Sequence, residues 1–104
     1  MKTKICDAIS KKKALRFLYN GNPPSRIVEP YCFGESAAGA DVLRAYQTRG
    51  YSSSGATNGW RLFDVSKITQ LTILEDETFD GKRKDYNPND AAMVRFHCRL
   101  SKAR

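Results

Sequence analysis

The chain has 104 residues, 40% hydrophobic and 28% charged, which suits one compact domain, is too short for two, and lies away from the composition of disordered chains. No run approaches the roughly 20 apolar residues of a membrane span and Met1 to Ile5 lacks the apolar centre of a signal peptide, so a soluble, cytoplasmic protein is expected. The formal net charge of +7 favours phosphate-bearing partners through long-range attraction and counterion release, although solubility alone also accounts for such a surplus.

Residues 4–14 place Ile5, Ala8 and Ile9 at helical spacing, and Lys11, Lys12 and Lys13 crowd the carboxyl end, where cations suit the helix dipole. One short amphipathic helix is expected there. Leu15, Phe17 and Tyr19 then share a face of a first strand, and Asn20-Gly21-Asn22-Pro23-Pro24 must turn, because Asn-Gly favours positive φ and prolines cannot continue a ladder. Residues 26–33 form a second strand with Arg26 and Val28 on the face opposite Ile27; Pro30 requires this strand to lie at an edge or to bend.

Residues 41–49 are the centre of the pattern. Leu43, Ala45 and Gln47 alternate with Val42, Arg44, Tyr46 and Thr48, so one face turns to a core while the other offers a cation beside a ring that can stack. Residues 50–59, rich in serine and glycine, form the longest connection. A fourth strand, 60–63, sets Trp60 and Leu62 against Arg61 and Phe63, with Trp60 expected as a core anchor. A tight turn at 65–67 leads to a fifth strand, 68–74, carrying Ile68, Leu71 and Ile73. Glu75-Asp76-Glu77 reads as a solvated acidic strand end, with pairing to the basic face as the alternative; residues 79–90 are polar and turn-rich, and Asn89 or Asp90 caps a helical turn at 91–93. Residues 94–100 close with Val94, Phe96, Cys98 and Leu100 against Arg95, His97 and Arg99, and 101–104 are expected to fray.

Cys6, Cys32 and Cys98 are odd in number and widely spaced, so no disulfide framework is expected. A zinc site would need all three and His97 together, and small buried free thiols are the plainer reading. Neither a metal-loop pattern nor a glycine-rich phosphate loop is present, and His97 has no serine or cysteine placed as its partner, so no enzyme, cofactor or metal is expected.

A short helix followed by about five closely spaced strands suggests a small barrel with an additional C-terminal strand. The order of the motifs resembles the WYL domain, a small Sm-like or SH3-like barrel of bacterial and phage-related regulators. The likeness runs through Ala8-Ile9, the strand ending at Tyr19, Arg26-Ile27-Val28-Glu29-Pro30, Leu43-Arg44-Ala45-Tyr46, and Arg61-Leu62-Phe63 with Lys67-Ile68; it covers residues 5–74 of a single domain 1–104 and leaves 75–104 as an extension. The triad that names the family falls at Asp41-Val42-Leu43, where only the leucine is kept.

The resemblance implies a stand-alone, non-catalytic ligand-sensing module in transcription regulation, with the family's basic positions on Arg26, Arg61 and Lys67. Tyr19, Arg44 and Tyr46 join them by alternation. The expected partner is a nucleotide or single-stranded nucleic acid held on a basic-aromatic face, with Tyr46 stacking. The other expectation is a protein-interaction or homodimerisation module of a regulatory or defence system, pairing through the last strand or the Pro30 edge.

Overall fold

A computed structural model describes residues 1–52, 55 and 58–101. Helix α1 (Lys2–Lys11) is followed by β1 (Lys13–Tyr19), β2 (Asn22–Glu35), β3 (Asp41–Arg49), β4 (Gly59–Asp64), a 3₁₀ turn (Val65–Lys67), β5 (Ile68–Thr78) and β6 (Arg95–Arg99). The expected helix and all six expected strands are present, and the fold is mainly β with an N-terminal helix.

All described pairings are antiparallel, in the order β4-β3-β2-β1-β5, with β6 added to β2. That order is an open path ending at β4 and β5, where the sequence suggested closure into a barrel. Pro30 lies inside the central strand rather than at an edge. Before it β2 pairs with β1, from Asn22 to Val28; beyond it β6 takes that side, from Cys32 to Glu35, while β3 pairs with both halves and its register slips between Pro30 and Cys32. A proline has no N–H for the ladder, so the change of partner falls where the ladder is already interrupted.

The β1–β2 connection is tighter than expected. Asn20 and Gly21, at φ 56° and 70°, form the two-residue turn, and Pro23 and Pro24 fall in the irregular stretch where Leu18 has no single partner across the hairpin. In β5 a positive φ of 55° at Gln70 shifts the alternation, which is why Ile68, Leu71 and Ile73 all turn inward despite their uneven spacing.

Ile5, Ala8 and Ile9 of α1 pack with Leu15, Phe17, Val28, Leu43 and Phe63 in the main core, as the periodicity predicts. A second cluster lies on the other face: Tyr31, Cys32 and Val42 of the sheet meet Tyr86 and Met93 of the segment before β6. Trp60 anchors this second cluster from its partly buried edge. The 79–93 segment is thus a strap laid across the sheet, and the helical turn expected at 91–93 is only a turn. Val94 departs from the expected alternation and is 68% exposed. His97 instead packs against Phe33 and bonds Asp41 at 2.9 Å.

The cysteine expectation is corrected. Cys6 of α1 and Cys98 of β6 form a disulfide across 92 residues, and Cys32 is the buried free thiol, its pKa pushed up to about 11 chiefly by burial. Among the described residues no three His, Cys, Asp or Glu side chains gather to hold a metal ion, and no helix is long and apolar enough to cross a membrane. Of the end expected to fray at 101–104, residues 102–104 lie outside the described residues, as do positions 53, 54, 56 and 57 of the serine- and glycine-rich connection.

Candidate functional site

Arg26 pairs with Phe17 across the β1–β2 hairpin and points, with Val28, to the core face. Its backbone is pressed against Gly50: a Cβ there would run into the Ser25 carbonyl oxygen and stand 2.8 Å from Arg26 Cα, and Gly50 holds a φ of 106°. Only glycine fits both demands. The arrangement sinks the Arg26 side chain to 7% exposure.

Around its guanidinium lie the rings of Tyr19, Tyr51 and Phe63, with centroids at 5.0, 5.4 and 5.5 Å. Nη1 donates a long hydrogen bond of 3.4 Å to Gln47 Oε1; Gln47, wholly buried, donates from Nε2 to the Tyr51 carbonyl at 2.7 Å. Nε of Arg26 is buried without a hydrogen-bond partner among the described residues. No carboxylate among them pairs with it, and the charge acting on it is another cation, Arg61. Burial first and Arg61 second hold its pKa below the ordinary arginine value. Three rings soften the cost of burying a cation beside a like charge.

Arg61 reaches this face because it pairs with Ala45, and its Nη1 donates to the Trp60 carbonyl at 3.1 Å. Glu29 grips Arg83, and Asp64 caps the 3₁₀ turn through Ser66. Tyr19 Oη accepts from the Asp64 amide at 3.0 Å, and the Lys67 carbonyl accepts from Asn20, so exposed Lys67 stands on the turn that seats the Tyr19 ring. Tyr19 and Arg61 therefore flank Arg26, and the Lys67 main chain lies beside the Tyr19 strand end.

Arg44 and Tyr46 are not gathered there. They point to the opposite face, beneath the strap, where Arg44 makes two bonds to Asp90, Nε at 2.6 Å and Nη2 at 3.2 Å. Arg83 lies 3.9 Å over the Tyr46 ring and grips Glu29 at 3.0 and 3.2 Å. The Tyr46 ring also meets Trp60 edge-on at 5.5 Å, and Trp60 Nε1 donates to the Lys84 carbonyl. A cavity of about 380 Å³ remains between Arg44, Trp60, Tyr86 and Asp90.

Gln47 and Tyr51 belong to the first site although no motif marked them. Gln47 carried a readable signal, since a polar side chain in register with Leu43 and Ala45 must find a buried partner. Tyr51, in the serine- and glycine-rich connection, carried none.

The helix-led, mainly β architecture agrees with the WYL-domain resemblance. Among solved structures the chain is similar to proteasome accessory factor B/C (PafBC) of Arthrobacter aurescens, a WYL-domain transcriptional regulator, with a TM-score of 0.63 and 26% identity. The match covers 84% of this chain and 13% of that one, so this chain spans a small part of the regulator's length. It extends past the motifs on which the resemblance rested. No family model and no curated protein matches the chain.

Proposed function

We propose that this chain is a regulatory ligand-sensing module that binds the phosphate of a nucleotide or of single-stranded nucleic acid at the Arg26 end of a barrel-like sheet. The observation that carries the reading is the buried Arg26 guanidinium, facing Arg61 and three rings, with an unbonded Nε and no carboxylate beside it among the described residues. Arginine presents a planar, permanently charged fork to phosphate oxygens, and tyrosine rings offer a surface to a base. Similarity to part of a transcription regulator supports the regulatory half of the reading.

In fluorescence anisotropy with a labelled oligonucleotide and with a labelled mononucleotide, binding weakens steeply with added salt, more so for the oligonucleotide. Arg61→Ala and Lys67→Ala each weaken binding, Arg61→Ala by at least about tenfold, equivalent to roughly 1.4 kcal/mol. Wild-type affinity in a folded Arg61→Ala variant would sink the proposal. A second reading, dimerisation through β6, is favoured by that strand's pairing, among the described residues, with β2 alone and by the 68% exposure of Val94 beside it. Light scattering after size exclusion answers it: a monomer at every concentration rules it out.

A further inference from the structure

The strap has two anchors of different kinds. At its start, Phe79 donates to the Lys12 carbonyl, directly after β5 pairs Thr78 with Lys13. Its far end runs into β6, which has four pairings with β2 and is tied to α1 by the Cys6–Cys98 bond. Helix α1 does not depend on that bond for its seat, because Ile5, Ala8 and Ile9 are buried to 2% exposure or less. None of the residues of β6 is fully buried. Both cysteines are partly exposed residues at the border of the main core.

We infer that residues 79–93 form a redox-latched strap: the Cys6–Cys98 disulfide, through β6, holds them over Arg44, Tyr46 and Trp60, and reduction by a dithiol lets them open and uncovers that face. One thiolate of the dithiol attacks a sulfur of the bond, and the other cysteine leaves as a thiolate that takes up a proton. The second thiolate of the dithiol then resolves the mixed disulfide. The dithiol ends oxidised to a cyclic disulfide, and Cys6 and Cys98 end as two thiols that have taken up two electrons and two protons. While oxidised, an opening strap is a loop fixed at both ends and recloses readily; once reduced, only the Phe79 end stays attached and β6 frays with it. The first interactions to give way are those furthest from the Phe79 anchor, the Arg44–Asp90 pair and the Leu100 amide on the Tyr31 carbonyl. This holds whatever ligand the Arg26 end binds.

Limited trypsin digestion of the full chain, with and without a dithiol and read by mass spectrometry, tests the latch. Cleavage after Lys82, Arg83 and Lys84 is expected to accelerate at least tenfold on reduction, with cleavage after Arg16 in β1 unchanged. Cys98→Ser is expected to cut at the fast rate in both conditions. Should that variant fold poorly, amide exchange at Arg83 and Leu100 in the reduced wild-type chain supplies the same reading. Equal rates in the two redox states overturn the latch, as does acceleration at Arg16 to the same degree, or two free thiols at Cys6 and Cys98 after treatment with a small-molecule disulfide.

Discussion

Arg26 is readable from the letters as a face-sharing neighbour of Val28, and the structure turns that face, not that of Ile27, to the core. What alternation does not convey is depth, because depth depends on the segment that closes over the strand end. That segment begins at Gly50, whose lack of a side chain lets it press on Ser25 and Arg26. Gly50→Ala combines a strained positive φ with a backbone collision and is expected to destabilise the protein by about 1–3 kcal/mol, seen as a lower thermal midpoint. On the proposed reading, the same variant is expected to weaken nucleotide binding in the anisotropy assay. A control substitution at Gly39, also at positive φ but with open space around it, costs less. Equal losses at both positions would show that collision with β2 plays no part.

Among the elements, the strands were legible and the strap was not. Period-two patterns give β1, β3 and β4 their faces, whereas the strap has no period, and its partners are specified one side chain at a time: Arg83 to Glu29, Tyr86 to main-chain carbonyls, Asp90 to Arg44. The acidic run at the end of β5 also found a partner, Glu77 gripping Arg49 at 2.8 and 3.1 Å. The Arg44 hydrogen bond holds the Asp90 carboxyl below the usual carboxylate range, and the Ala92 amide adds to it against the opposing effect of burial. A carboxyl depressed in the folded state stabilises above its unfolded value, near 3.8, and loses that contribution as pH falls through its lower folded value. Asp90→Asn is therefore expected to cost about 1–3 kcal/mol at pH 7. In urea unfolding, the gap between variant and wild type narrows as pH drops below about 4. A gap that persists at pH 2 would mean that packing, not charge, is what Asp90 supplies.

At the scale of the whole molecule the disulfide was the hidden constraint. Two cysteines 92 residues apart say nothing of their meeting, which follows only once β6 lies beside β2 and α1 caps the core. Replacing both by serine is expected to lower stability by about 2–4 kcal/mol in denaturant unfolding, through a less restricted unfolded chain. An unchanged midpoint would show that the link restrains the strap alone. The partner exchange at Pro30 also bears on the order of assembly. The half of β2 before the proline finds β1 among its immediate neighbours, while the half beyond it waits for a strand from the far end of the chain. Closing so wide a loop has a high entropic barrier, so a nascent chain acquires the hairpin and its rings early and gains the β6 half last. Until then the Arg44, Tyr46 and Trp60 side chains that the finished molecule covers stay open to solvent.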